Sequence, residues 1–378
     1  MPDTVSNLLF FSFLYILPVT FLLLYLSSQE EEKSQNYILF VITIFLSFIV
    51  FYSLKNFSFG DDFYNYFKIA IQFSYLPSLE NLPFSGDYLF WSFLYYLGSL
   101  THNSYLFGFV FGLIAFAFVF SSSMQFDKKV FILGAICILF SRPFLEASIN
   151  PLRSSIALIF IFYSFYSFQR GTKIISVLSL LIALNLHLYI SLLCILFLPF
   201  VRLRQNTVKK LFFLGLIMAP FYYYFLETIG LLDLYNTYIA LEAGDAIGKP
   251  DGASFPWAWM LQLVPFIIIP LIYLLLIDIE SKEHQSYIKL IVALVLFIIY
   301  TIGLNALGMR FIFLLVPITV YLFFQYSFSH IRKTSLAYLF SLLLFNYLVI
   351  ASSILESEFY FDDAQEMKLQ YEELKKSL

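Results

Sequence analysis

Two arginines in this chain open apolar runs at positions where a cation opposes the local backbone field. In SINPLRSSIALIFIFY (148–163), Asn150 suits a helix N-cap and Pro151 the first helical position. Arg153 then falls in the first turn, beside the partial positive charge of the helix N-terminus. In GLNALGMRFIFLLVP (303–317), Arg310 opens a second apolar run behind Gly303 and Gly308. A bound anion reconciles both placements, because a guanidinium fork and unpaired N–H groups of a helix start donate to the same phosphate or carboxylate oxygens. Arg142 and Glu146 lie just upstream of Arg153 in SRPFLEASINPLRSS, so Glu146 is one available anion and a ligand phosphate is another.

Two further groups could move a proton. His187 stands in the middle of the apolar stretch ALNLHLYISLLC. An ionisable side chain at that depth either makes a structural hydrogen bond or faces a polar cavity, where it can donate to a phosphate or relay a proton. In FGDDFYNYFKIAIQF (59–73), Asp61, Asn65, Lys68 and Gln72 recur at helical spacing, with Phe63, Phe67, Ala70 and Ile71 largely opposite. That pattern predicts an amphipathic helix at a membrane interface. Asp61 or Asp62 either caps it or serves as a general base toward a hydroxyl.

The elements that must position these groups follow from composition. Of 378 residues, 61% are hydrophobic and 12% charged, and the mean hydropathy is +0.83. A soluble domain carries about half apolar and a quarter charged residues, so this is an all-α, polytopic membrane protein forming a single integral domain over 1–378. Apolar length and breaks place spans near 8–26, 37–54, 105–123, 129–145, 151–168, 210–229, 258–278, 286–303, 310–328 and 334–355, about ten crossings. The segment 87–101 is too short to cross. The segment 174–200 is long for one crossing and short for two, which predicts a re-entrant or broken helix interrupted near His187. The first apolar run reads as a retained span. Cys137 and Cys194 both lie inside apolar runs, against a disulfide framework or a zinc site.

Short cytoplasmic loops carry excess Lys and Arg. Lys33, Lys128 with Lys129, Arg170 with Lys173, Arg202 and Arg204 with Lys209 and Lys210, Lys282 with Lys289, and Arg332 with Lys333 therefore mark the inner side. The outer side then holds the amphipathic loop 55–86, the turn 141–153, the main loop 230–257, the turn around Arg310 and the C-terminal tail 356–378. No Gly-rich phosphate loop and no nucleic-acid-binding pattern stands in the chain.

The order of GDDFYNY after the second span, NPLRSSIA opening a span, LHLYISLL inside an apolar stretch and LGMRF opening a late span resembles the EpsG-like polysaccharide polymerases, relatives of the Wzy-type O-antigen and capsule polymerases. The resemblance extends from about residue 37 to 328. It implies a membrane glycosyltransferase of GT-C-like architecture in the bacterial cytoplasmic membrane, with its site facing outward. Its substrate would be a polyprenyl-diphosphate-linked oligosaccharide. Partners would be membrane lipids, a chain-length regulator and a flippase, with no nucleic acid, cofactor or metal. Residue by residue, it points to Asp62 or Asp61 and His187 as catalytic groups and to Arg153 and Arg310 as ligands of the diphosphate; Arg142, in the same outer turn as Arg153, is a further candidate ligand by position. The chain departs from the pattern at Asp61, where a Thr is expected, at Ser154, where a Gln is common, and near Gly86, where an expected Glu is missing.

Overall fold

The computed structural model describes residues 4–29, 32–54, 61–76, 78, 87–149, 152–229, 261, 263–301, 309–330 and 332–355. Among these, every regular element is a helix. In chain order they are α1 (Thr4–Ser27), α2 (Lys33–Leu54), α3 (Asp61–Ser74), α4 (Tyr88–Leu100), α5 (Ser104–Ser123), α6 (Lys128–Leu139), α7 (Arg142–Ile149), α8 (Leu152–Gln169), α9 (Lys173–Leu186) and α10 (Leu188–Phe197). A 3-10 turn (Leu198–Arg202) leads to α11 (Gln205–Thr228), and a π-helical turn (Val264–Ile268) runs into α12 (Ile269–Leu276). After α13 (Lys282–Thr301), a 3-10 turn (Met309–Phe311) opens α14 (Ile312–His330), and α15 (Arg332–Leu355) follows. The loop 230–257 and the tail 356–378 lie outside the described residues, as do Asn150, Pro151, Gly303 and Gly308.

Crossing a hydrocarbon layer of about 30 Å takes about 20 apolar residues in a helix. Among the described residues, five helices satisfy that by length and hydropathy, within α1, α2, α5, α13 and α15. A sixth is counted if α6 and α7 form one bent span. The stretch 129–145, read from the sequence as one span, consists of these two helices meeting at 73°. Pro143 offers no N–H to the carbonyl of Leu139, and its ring disfavours continued α-helix before it. Ser141 restarts the chain: its Oγ accepts the Phe144 N–H at 3.3 Å and its carbonyl accepts the Leu145 N–H at 2.9 Å. Ser141→Ala removes this cap and is expected to cost about 1 kcal/mol. The measurement is a lowered Tm of the detergent-purified protein with helix content unchanged.

The chain divides into two compact units, Met1–Ser191 with Phe324–Leu378, and Leu192–Phe323. In the first, an aromatic core of Phe11, Tyr15, Phe51, Phe140 and Tyr347 brings ring centroids within 5.4 to 5.9 Å. Two polar side chains inside it reach backbone partners. The Tyr15 hydroxyl donates to the Leu343 carbonyl at 2.7 Å, and Asn346 Nδ2 to the Cys137 carbonyl at 2.9 Å.

Helix α3 is amphipathic as its spacing predicts, with Phe63, Ala70, Ile71 and Phe73 buried and Asn65 and Lys68 exposed. Its apolar face rests on protein: Phe63 meets Phe107 and Phe111 of α5 at 5.4 and 6.0 Å, and Tyr66 and Phe73 flank Trp91 of α4 at 6.2 and 6.1 Å. Helices α8 and α9 form a hairpin. Gly171 takes φ 77, and the Thr172 N–H reaches back to the Ser167 carbonyl at 2.9 Å, the left-handed C-cap that glycine makes without steric cost.

Two ends of this unit are thereby distinguished. Lys128 stacks on Tyr37 near the start of α2 and Lys129 on Phe328, so Lys33, Lys128 and Lys129 gather at one end. Phe118 of α5 meets Phe162 of α8 at 5.8 Å with both helices running toward that end, which carries Arg170 there too. At the other end, the Tyr52 hydroxyl donates to the Ser148 carbonyl at 2.9 Å and Ser155 Oγ to the Ala147 carbonyl at 2.6 Å. The C-terminus of α2, all of α7 and the first turn of α8 therefore meet opposite the basic clusters.

The second unit packs α11 on α13. The Tyr300 hydroxyl donates to the Gly215 carbonyl at 2.9 Å, and Tyr222 and Tyr300 meet edge-on at 4.9 Å. Phe311, beside Arg310, packs against Phe297 at 5.5 Å.

Candidate functional site

Helix α9 stops at Leu186, and His187 turns to extended backbone, φ −159 and ψ 98. Its N–H closes α9 on the Ala183 carbonyl at 2.9 Å. Its own carbonyl opens α10, accepting the Ser191 N–H at 3.2 Å and the Ser191 hydroxyl at 2.8 Å. The break expected near His187 is present, although no Gly or Pro stands between residues 184 and 190 to cause it. A third helix supplies the cause. Asp87 Oδ1 accepts the N–H of Leu188, the first residue of α10, at 3.0 Å. A carboxylate on that N–H matches the partial positive charge of a helix start.

Asp87 itself precedes α4 in the left-handed region, φ 53 and ψ 40, which Asp tolerates better than most residues. Its carbonyl accepts the N–H groups of Phe90 and Trp91 at 3.0 and 3.3 Å. The side chain makes no capping bond to its own helix, since capping requires an extended backbone. It is free to reach α8 and α10.

The second carboxylate oxygen holds the arginine. Asp87 Oδ2 lies 2.8 Å from an Nη of Arg153 and 3.9 Å from His187 Nδ1. The guanidinium also sits 5.5 Å from the centre of the Trp91 ring, one turn beyond Asp87 on α4. His187 is 1% exposed, whereas the Asp87 and Arg153 side chains keep 10% and 26% of their surface. The Nε of Arg153 is buried and has no hydrogen-bond partner among the described residues. The starts of α4, α8 and α10 thus converge on one ion pair and one histidine, at the end of the unit away from the basic clusters. A group of this kind can hold an anion on the guanidinium and take a proton on the imidazole or carboxylate.

The anion that Arg153 requires is, in this structure, the Asp87 carboxylate. Glu146 belongs to Arg142: Arg142 Nε donates to Glu146 Oε1 at 2.6 Å within α7, with Glu146 buried. Arg142 therefore lies outside the Asp87 pair. Arg310 is half-buried in the 3-10 turn of the second unit. Asp61 and Asp62 open α3, and their side chains lie outside the described set.

Asp87 was missed in the sequence, although a signal was present. In SGDYLFW (85–91) an acid stands directly before an aromatic, apolar helix, in a Gly–Asp–Tyr triplet of its own. It also occupies the neighbourhood of Gly86 where a Glu was sought, with one methylene fewer. Reading 87–101 only as a span too short to cross hid the carboxylate at its head.

No curated protein and no solved structure matches this chain. A family model does match, over residues 37–371, and the chain belongs to the EpsG family.

Proposed function

We propose that this protein is a polysaccharide polymerase that joins polyprenyl-diphosphate-linked oligosaccharide repeat units on the outer face of the bacterial cytoplasmic membrane. Membership of the EpsG family supports the reaction class. The observation that carries the site is the meeting of Arg153, Asp87 and His187 at a helix break. Its position opposite Lys33, Lys128, Lys129 and Arg170 supports an outward orientation, because basic residues collect in cytoplasmic loops. In this reading the chain makes about ten crossings in a GT-C-like arrangement, with the α9–α10 pair re-entrant.

The reaction breaks the bond between the anomeric carbon of the donor sugar and its diphosphate, and forms one to an acceptor hydroxyl. Negative charge grows on phosphate oxygens as the bond breaks, and each well-aimed donor is worth about 3 kcal/mol at such a charge. Arg153 supplies such donors, with Arg142 as an outlying cation. The acceptor proton passes to His187, Asp62 or Asp61. Among these, His187 stands beside a carboxylate, with its Nδ1 3.9 Å from Asp87 Oδ2, which can orient the imidazole for that role.

The test is reconstitution of the purified protein in lipid vesicles with polyprenyl-diphosphate-linked repeat units as the sole substrate. The expected product is a ladder of multiples of the repeat unit with release of polyprenyl diphosphate. Transfer of intact lipid-linked units to the opposite leaflet, with no ladder, would overturn the reading in favour of a flippase.

A further inference from the structure

We infer that Asp87 is a positioning residue of this site, whose two carboxylate oxygens set the guanidinium of Arg153 and the helix break at His187 in one register. The inference rests on the polymerase reading and adds a residue that it does not otherwise include. Each oxygen has its own task. Oδ1 accepts the Leu188 N–H and fixes where α10 begins, and therefore where His187 leaves the helix. Oδ2 holds an Nη of Arg153.

The backbone of Asp87 makes this division possible. Its left-handed conformation turns the carboxylate off α4, whose first N–H groups are served by the Asp87 carbonyl instead. The arginine is also held from a second side by Trp91 of the same helix. Arg153 still keeps a partly exposed side chain, so part of its fork is available to a further anion. Asp87 thus aims the guanidinium without consuming all its donors. The α9–α10 break has no local sequence cause, so losing this carboxylate moves His187 as well as Arg153.

Asp87→Asn separates the two tasks. Its amide oxygen can still accept the Leu188 N–H, while its amide nitrogen faces the guanidinium and the charge is gone. Misplacing a reacting group by about 1 Å costs up to about 100-fold in rate. The experiment measures polymerisation by the reconstituted full-length protein against the concentration of lipid-linked donor. For Asp87→Asn, kcat is expected to fall about 10- to 100-fold per folded molecule, with donor KM changed less than about threefold, because Arg153 is still present. Asp87→Glu, which keeps the charge, is expected to recover part of that loss. In an Arg153→Lys background, where the fork is already absent, Asp87→Asn is expected to add less than about threefold, since coupled residues are not additive.

A kcat within about twofold of wild type for Asp87→Asn overturns the inference, as does full additivity in the Arg153→Lys background. Should Asp87→Asn fail to accumulate, Asp87→Glu decides in the same assay, and an unchanged kcat there overturns the inference too. Failure of the polymerase reading looks different, because wild-type protein then makes no ladder at all.

Discussion

Cells carrying Arg153→Ala are expected to accumulate single-repeat material in place of long polymer, with kcat/KM lowered about 1000-fold in the reconstituted reaction. Two losses combine. The leaving diphosphate loses a positioned guanidinium, a term of about 3 to 4 kcal/mol at a developing oxyanion. The Asp87 carboxylate, only 10% exposed, also loses the cation that compensates its burial. An uncompensated buried charge is itself destabilising by about 3 kcal/mol. The second loss predicts a lower protein level, so polymer length must be read against an immunoblot of the membrane fraction. Arg153→Lys separates the two effects. It restores a charge opposite Asp87 and hence the protein level, but a single ammonium does not reproduce a planar fork, and long polymer is expected to return only in part. A wild-type ladder from Arg153→Ala at equal protein level would rule out a guanidinium role in the reaction.

Gly98→Ala should damage the molecule at a distance from this chemistry. A Cβ at residue 98 would stand 1.9 Å from the Ala70 carbonyl oxygen and 2.5 Å from its carbon. The obstructing atoms are backbone, so no side-chain rotation relieves the contact and α3 must move away from α4. Separation opens the contacts of Tyr66 and Phe73 with Trp91, which hold the first turn of α4 in place. Overpacking of this kind costs about 3 kcal/mol or more. The expected result is a Tm lowered by several degrees in detergent together with reduced polymerisation, because Asp87 and Trp91 ride on the displaced helix. Gly108→Ala is the matched control: its nearest neighbour would be the Ser53 Cα at 3.3 Å, which a small shift accommodates. Equal Tm values for the two variants would contradict the close packing of α3 on α4.

Much of the site was legible residue by residue. Arg153 and His187 declare themselves because ionisable groups in apolar runs are costly, and the length of 174–200 foretells the interruption at His187. The amphipathic period of 61–74 likewise survives in α3, with Lys68 and Asn65 exposed as the spacing requires. The bend between α6 and α7 was also written locally, in Ser141 and Pro143. It was passed over because hydropathy averaged across 129–145 is uniformly high and outweighed one proline. The partner of Arg153 was a different matter. Glu146 is seven positions away and Asp87 sixty-six, and proximity along the chain brings only the nearer acid into view.

Composition and periodicity by themselves determined that the chain is helical, with runs apolar enough to cross a membrane, and that its charged groups in apolar runs demand partners. These are properties of single segments, set by transfer free energy and by the 3.6-residue period, and they need no knowledge of what lies alongside. Only the tertiary structure decided which carboxylate meets Arg153, where α10 begins, and that α3 rests on α4 and α5. Each of those depends on helices distant in sequence packing together, and a pairing of that kind leaves no local trace in either partner. Asp87 alone is an acid before a short helix, and it becomes the centre of a site when α4, α8 and α10 bring their first turns to it.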